Sequence, residues 1–251
     1  MRKLLYIQAL LVLAIMSSCI SQKKVWLVQD QTKQSQTEFI NTREEAYKVN
    51  PGDRLFIKVY SSDKQTSKFF QTDLPNFMSN TYQYLNSYSV NPDGFLNFSF
   101  IEKIKVEGLT VNEVEKTLQK TLNEYFKEVT VVVKLVNFQV TVLGEVEREG
   151  RYTNNEEHLS LLEAIALAGG IREFGDRRNI TLIRHDKTGA KVHYLDLTDK
   201  KILESDLYYV QPGDVIYVKS MKSKSFAYEK LPYAIFVSTL AIAISVLAIL
   251  K

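Results

Sequence analysis

The residue best placed for chemistry in this chain is its one cysteine, Cys19. It follows a basic start (residues 2–3), an apolar run (residues 4–15) and two serines. This order is typical of an export signal, and cleavage before the cysteine frees it for acylation. Two or three acyl chains attach a protein firmly to a bilayer. We therefore predict a lipoprotein signal peptide over residues 1–18 and lipidation at Cys19. An ordinary signal peptide with an incidental cysteine is the alternative.

The aspartates of three glycine-containing turns are the next candidates. Val49–Lys58 aligns without gaps on Val210–Lys219, so a turn followed by an apolar run occurs twice. Proline sets φ for such a turn, glycine accepts a positive φ, and aspartate closes the turn through its carboxylate. Acid–base catalysis in a glycan-processing enzyme is one interpretation, but the pattern favours turn stabilisation. The turn residues are Pro51, Gly52, Asp53, Pro92, Asp93, Gly94, Pro212, Gly213 and Asp214.

The composition excludes several other classes of site. The 251 residues carry 32 basic and 29 acidic side chains, a formal charge of +3, which provides no field for gathering nucleic acid. One cysteine and three histidines leave no disulfide framework and little for a zinc site. The sequence also lacks a nucleophile elbow, a phosphate-binding loop and a dinucleotide-binding motif. We predict no cofactor, no metal and no nucleic-acid partner, and we expect that the protein is not an enzyme.

A second predicted membrane attachment lies near the C-terminus. Leu231–Leu250 is a run of 20 residues without a charged side chain, and as a helix it spans about 30 Å, the thickness of the hydrocarbon core. We predict a transmembrane helix over residues 231–251, after a basic linker over residues 220–230; a buried core helix is the alternative. Three hydroxyl residues are candidates for helix contacts or a wet lumen: Ser238, Thr239 and Ser245.

The middle of the chain predicts the elements that position these turns. Thr110 and Glu113 begin one helix with a capping box, and Ser160 and Glu163 begin another. The β-branched run over residues 129–136 and the alternating residues 137–146 predict strands. Hairpins are predicted around the turn at residues 92–94 and the turn at residues 186–189. The predicted fold class is α+β: two small mixed α/β domains that meet near Asn137, followed by the C-terminal helix.

The first of these domains resembles the polysaccharide export domain of capsule and exopolysaccharide translocons. The resemblance covers residues 47–136. It is carried by four motifs, which are Tyr47-Lys-Val-Asn-Pro-Gly-Asp53, Asn91-Pro-Asp-Gly94, Val106-Glu-Gly-Leu-Thr110 and Val129-Thr-Val-Val-Val133.

The second domain, over residues 137–219, resembles one SLBB domain, a β-grasp-like module. Its motifs are Val142-Leu-Gly-Glu-Val146, Gly150-Arg-Tyr152, Leu161-Leu-Glu-Ala-Ile-Ala-Leu-Ala-Gly-Gly170, Asp176-Arg-Arg-Asn179 and Tyr209-Val-Gln-Pro-Gly-Asp214. Together with the candidate lipid anchor, the two domains make the chain similar to the outer-membrane polysaccharide export (OPX, Wza-like) lipoprotein family.

The resemblance implies a homo-oligomeric ring in the outer membrane of a Gram-negative bacterium, anchored by lipid at Cys19 with its body in the periplasm. Capsular polysaccharide or exopolysaccharide would pass through the ring, supplied by an inner-membrane polysaccharide co-polymerase or chain-length regulator. Residues 19–46 would form the lipidated tether. The alternative is a doubly anchored periplasmic adaptor that binds glycan or a partner of the export complex without forming the pore itself.

Overall fold

The computed structural model of the protein describes residues 26–29, 47–63, 66, 70, 79–98, 103–126, 128–186 and 188–222, together with 237, 238, 240, 241 and 245. The predicted lipidation site Cys19 and most of the predicted span Leu231–Leu250 lie outside the described residues. Among the residues that are described, no helix is both long enough and apolar enough to cross a bilayer.

A three-stranded sheet organises the first half of the fold (residues 47–135), with the strand order β2-β1-β5. β1 and β5 run antiparallel, with Leu55 opposite Leu135 and Ile57 opposite Val133. Alternate residues of β1 are buried, as expected for a strand with one face on a core. The strands of the sheet are β1 (Arg54–Ser61), β2 (Tyr88–Ser89) and β5 (Val129–Leu135).

Both faces of this sheet carry a helix. Helix α2 (Val111–Tyr125) packs on the buried face through Val114, Leu118 and Leu122, and each buried side chain of this size stabilises the fold by about 1.5–3 kcal/mol. Helix α1 (Asn80–Leu85) contacts the opposite face, where the rings of Phe56 and Tyr82 lie 6.5 Å apart. The sequence does not predict α1 because its six residues are too few for apolar periodicity.

The capping box predicted for α2 is confirmed. Thr110 Oγ1 accepts a hydrogen bond from the backbone N–H of Glu113 at 3.2 Å. In return, Glu113 Oε2 accepts one from the backbone N–H of Thr110 at 2.8 Å. Two backbone donors at the helix N-terminus are therefore satisfied, which explains why α2 begins at Val111.

The hairpin predicted around residues 92–94 is present only in part. The turn itself forms, with Gly94 at a φ of 80°, and Val90 and Leu96 make one bridge across it. The flanking strands then pair elsewhere: β2 with β1, and β3 (Phe95–Leu96) with β4 (Ile104–Lys105). The predicted hairpin is therefore confirmed at its turn, whereas the strands on either side of it pair mainly with other partners.

A five-stranded sheet organises the second half (residues 139–222), with the strand order β7-β6-β10-β8-β9. The neighbours β6 and β10 are parallel, and the other pairs are antiparallel. The hairpin predicted at residues 186–189 is confirmed by β8 and β9, which pair Asp186 with Gly189. The strands are β6 (Gln139–Gly144), β7 (Gly150–Thr153), β8 (Gly175–Asp186), β9 (Gly189–Leu195) and β10 (Val215–Ser220).

One face of the second sheet is covered by helix α3 (Leu161–Leu167), a 3₁₀ helix (Lys200–Glu204) and the segments around them. The capping box predicted for α3 is confirmed, since Ser160 Oγ accepts from the Glu163 N–H at 3.2 Å and Glu163 Oε2 accepts from the Ser160 N–H at 2.7 Å. The mixed helices and sheets of both halves agree with the predicted α+β class.

A short segment of the N-terminal region pairs with the second half. The backbone N–H of Val28 donates to the carbonyl of Leu197 at 2.9 Å, and that of Gln29 donates to the carbonyl of Thr198 at 2.7 Å. The tether predicted over residues 19–46 is therefore attached at this point. Trp26, two residues before Val28, is exposed.

Candidate functional site

The first repeated turn buries its aspartate among neutral donors. Asp53 is only 5% exposed, and its Oδ2 accepts hydrogen bonds from the Tyr47 hydroxyl at 2.9 Å and from the Asn50 N–H at 2.8 Å. Burial raises the pKa of the Asp53 carboxyl, and these hydrogen bonds only partly offset that effect. Burial, together with the nearby Asp53 charge, raises the pKa of Tyr47 as well.

The second repeated turn buries its aspartate against a cation. Asp214 is 1% exposed and accepts from the Gln211 N–H at 2.7 Å, the counterpart of the Asn50 contact. Arg184 of β8 adds a two-pronged contact, with its Nη2 2.7 Å from Asp214 Oδ2 and its Nε 3.1 Å from Oδ1. Fork-shaped pairing of this kind is the strongest form of a charge-assisted hydrogen bond.

The two turns meet the same short connection between the halves. Asn137 Oδ1 accepts from the Arg54 N–H at 3.0 Å, just after the first turn. On the other side, the Gly213 N–H of the second turn donates to the Gln139 carbonyl at 2.8 Å. The charge of Asp214 also contributes to the raised pKa of Tyr47. The repeated motif thus holds residues 137–139 from both sides, and Leu135 packs against the cores of both halves.

The third predicted turn, at residues 92–94, is held together by different contacts. Asp93 is exposed, and the turn is held through the Gly94 carbonyl, which accepts from the N–H groups of Val106 and Glu107 at 3.0 and 3.1 Å. The carboxylates of Asp53 and Asp214 each accept a backbone hydrogen bond from their own turn. Both buried carboxylates are therefore engaged in stabilising their turns.

The remaining candidate residues form no second functional site in the described part of the chain. His158 lies beside Tyr209, with ring centroids 5.7 Å apart, and no group of three or more metal-ligating side chains occurs among the described residues. Ser238 and Ser245 are helical and exposed, and Ser245 Oγ donates to the Ala241 carbonyl at 2.9 Å. Cys19 and Thr239 lie outside the described residues.

The sequence does not predict three of the side chains that contact the repeated turns or the residues beside them: Arg184, Asn137 and Tyr47. Arg184 belongs to a strand that the pattern predicts, but nothing in its spacing indicates a partner 30 positions away. Asn137 marks the predicted boundary between the two domains, but the sequence does not indicate that its side chain contacts Arg54. Tyr47 begins the first motif of the resemblance, but nothing in its spacing indicates that its hydroxyl contacts Asp53 six positions later.

Comparison with known protein families identifies both halves of the fold. A family model described as polysaccharide biosynthesis/export protein matches residues 41–136, and one described as SLBB domain matches residues 139–218. The two matches follow each other along most of the described chain. The chain belongs to the outer-membrane polysaccharide export family. It carries one SLBB domain after the export domain, and neither is an enzyme family.

Two relatives support this assignment. The chain is 30% identical over 151 residues to the EPS I polysaccharide export outer membrane protein EpsA of Ralstonia nicotianae, covering 56% of this chain and 39% of the relative. It is 28% identical over 151 residues to the protein of the same name from Ralstonia solanacearum, covering 56% of this chain and 40% of the relative. The chain thus matches about two fifths of the length of these curated relatives.

Proposed function

We propose that this protein is an outer-membrane lipoprotein that forms a homo-oligomeric ring and exports capsular polysaccharide or exopolysaccharide across the outer membrane. Its body lies in the periplasm, lipid at Cys19 and the helix over residues 231–251 hold it in the membrane, and an inner-membrane co-polymerase or chain-length regulator supplies the polymer. The observation that carries this proposal is the consecutive match of the export and SLBB families over residues 41–136 and 139–218.

Both proposed membrane anchors lie close in sequence to the second half of the fold, which supports the membrane arrangement. Val28, which is hydrogen-bonded to Leu197, lies nine positions after Cys19. Leu231, where the proposed span begins, likewise lies nine positions after Lys222. A fully extended chain of this length reaches about 30 Å. Both proposed anchors therefore keep the SLBB domain within about 30 Å of the bilayer, which is consistent with a ring seated against the membrane.

The turn carboxylates are engaged within the protein, which supports passive transport of the polymer. Asp53 and Asp214 are occupied by donors of their own turns and by Arg184. A hydrated polymer that is driven from the inner membrane needs a path without tight binding, and several copies around an axis enclose such a path where one helix cannot. The proposed division of labour is a tether over residues 19–46, an export domain over 47–136, an SLBB domain over 137–219 and a basic linker over 220–230.

The decisive experiment is deletion of the gene, followed by staining of the cells for surface polysaccharide. We expect surface polysaccharide to disappear and to return when the wild-type chain is supplied. Cys19→Ala should restore less, because the variant lacks the lipid anchor, whereas Cys19 in a wild-type chain should label with radioactive palmitate. Unchanged surface polysaccharide in the deletion strain would contradict the proposal.

The adaptor alternative is favoured by one feature of the C-terminal segment. Leu231–Leu250 has no charged residue, and Ser245 Oγ is engaged with the Ala241 carbonyl of its own helix. Both observations suit a helix that is surrounded by lipid rather than one that lines water. The adaptor would hold the polysaccharide or a partner of the export complex while another protein supplies the pore.

Planar-bilayer conductance of the purified assembly separates these two functions. A translocon gives reproducible steps of ionic current, since a path wide enough for a hydrated polymer also admits salt. An adaptor gives none. A serine-to-leucine replacement at position 245 serves as the matched variant, because it changes a lumen-facing group in the first case and a lipid-facing group in the second.

A further inference from the structure

The outer edge of strand β5 is covered by side chains of helix α2. Among the described strands, β5 is the last of the first sheet, with β1 on its inner side. Gln119 Nε2 donates to the Val129 carbonyl at 2.5 Å, and Gln119 Oε1 accepts from the Val131 N–H at 2.9 Å. One helical turn earlier, Glu115 Oε2 accepts from the Val133 N–H at 3.1 Å. Helix α2 therefore binds three backbone groups that a neighbouring strand would otherwise bind.

The side chain of Gln119 reproduces the contacts of a strand. A residue of an antiparallel strand offers one N–H and one carbonyl to its partner, and a carboxamide offers the same donor and acceptor. Gln119 and Glu115 are four positions apart, so they lie on the same side of α2. Both are partly buried, whereas Lys120 and Glu124, which have the same spacing, are exposed. The covering contacts thus come from the side of the helix that faces β5.

The composition of β5 makes an open edge prone to pairing with another chain. The segment Val129–Leu135, with the sequence VTVVVKL, has five β-branched residues, one charged residue and no proline. Short segments with high β-propensity and little charge add readily to strands of other molecules. Natural proteins therefore cover such edges, and the α2 side chains occupy the place where that cover is needed.

The strand that suits this edge best is a second copy of β5. In an antiparallel pair centred on Val132, Val131 of each copy lies opposite Val133 of the other. Lys134 then lies opposite Thr130 rather than opposite a second lysine, so like charges do not meet. This register uses the N–H groups of Val131 and Val133, which are the two that α2 covers.

We propose that Gln119 and Glu115 shield a strand-binding edge, and that the partner they exclude is β5 of a second copy of this chain. A second copy pairs with β5 only after the three covering hydrogen bonds break. Such a pair is isologous and ends at two copies, so it would compete with a closed ring of several copies. The inference stands on the contacts of β5 and does not depend on the export function.

The test uses a fluorescently labelled peptide with the sequence of residues 128–136, added to the full-length protein in detergent. Fluorescence anisotropy measures its binding. The double variant Glu115→Ala with Gln119→Ala opens the edge, and alanine preserves the helix. We expect it to bind the peptide at least about tenfold more tightly than the wild type, because the wild type must first break three hydrogen bonds.

Two matched variants and one altered peptide serve as controls. Lys120→Ala with Glu124→Ala removes two exposed side chains at the same spacing on α2 and should bind like the wild type. Glu115→Gln keeps an acceptor for the Val133 N–H and should also bind like the wild type. A peptide carrying Val131→Pro lacks one of the pairing N–H groups and should bind the double variant weakly.

Each outcome supports or overturns the proposal. Equal binding by the wild type and the double variant would overturn it, as would an equal gain in the Lys120 and Glu124 control. Undiminished binding of the proline peptide would show apolar adhesion rather than strand pairing, and would overturn it too. Thermal unfolding checks that each variant is folded. If the double variant is unfolded, Gln119→Ala alone, which keeps the Glu115 contact, decides with an expected gain of about three- to tenfold.

Discussion

The two halves of the molecule use the same turn in different electrostatic surroundings. In both, a buried aspartate accepts the N–H of the residue three positions earlier, Asn50 for Asp53 and Gln211 for Asp214. The remaining donors differ: the first half supplies the neutral Tyr47 hydroxyl, and the second supplies the Arg184 guanidinium. The difference shows that the motif specifies the turn, whereas the surrounding fold determines how the buried charge is stabilised.

We therefore expect replacement of the buried aspartate to cost more stability in the second half than in the first. A buried carboxylate with a cationic partner cannot lose its charge without leaving that cation unpaired. One held by neutral donors can be replaced by an amide, which still accepts hydrogen bonds at its carbonyl oxygen. Five single replacements test the comparison.

Asp214→Asn is expected to have the largest effect. It leaves the Arg184 side chain, only 16% exposed, without its carboxylate. Removing one partner of a buried ion pair costs about 3–5 kcal/mol, so the free energy of unfolding, measured with denaturant, should fall by that amount. The double variant Arg184→Met with Asp214→Asn should recover a large part of the loss. A double variant as unstable as the single one would show that the turn geometry, not the unpaired cation, sets the cost.

Ser160→Ala is expected to have an intermediate effect, compared with Thr110→Ala at the equivalent cap of the first half. Loss of a capping hydroxyl costs about 0.5–2 kcal/mol. Ser160 is buried and Thr110 is not, so the serine variant should lie near the upper end of that range and the threonine variant near the lower. Thermal unfolding of the two variants measures the difference, and equal losses would contradict the role given to burial.

Asp53→Asn should lower stability by less than about 1 kcal/mol at neutral pH, because the amide oxygen still accepts from its donors. It should also change the pH dependence. The pKa of Asp53 is raised in the folded state, so above the ordinary value of 3.8 the folded chain holds a proton that the unfolded chain has lost. Stability from this group is therefore full at lower pH and falls as pH rises towards the folded pKa.

The measurement for Asp53 compares unfolding of the wild type and Asp53→Asn across this acidic range. The wild type should lose stability relative to the variant as the pH rises above 3.8. Parallel curves would contradict the raised pKa, since both chains share every other titrating group.

Thr181→Val should have the smallest effect, and of opposite sign. The outer face of the first sheet is contacted by α1 through Phe56 and Tyr82, whereas that of the second exposes its tyrosines and leaves Thr181 Oγ1 unpaired. Replacing an unsatisfied buried hydroxyl with a methyl of the same shape is neutral or stabilising, by up to about 1 kcal/mol. A lower unfolding temperature would show that the hydroxyl has a partner in solution.

The sequence predicts the local features of this fold well, and the distant contacts poorly. Both capping boxes, both repeated turns and the β8–β9 hairpin follow from residues within a few positions of each other, where side-chain chemistry restricts the backbone directly. The pairing of β2 with β1, the Arg184–Asp214 contact and the attachment of residues 28–29 join segments far apart in sequence. No local pattern encodes such partners, because they depend on which surfaces the whole fold brings together.

The central claim, that several copies surround a passage, is tested most directly by the mass of the full-length protein extracted from the outer membrane in mild detergent. Mass photometry or analytical ultracentrifugation determines the number of chains per particle. The account predicts a single closed assembly of several chains, with a central opening in electron micrographs of the same sample. A protein that remains monomeric at concentrations matching those in the membrane would contradict it.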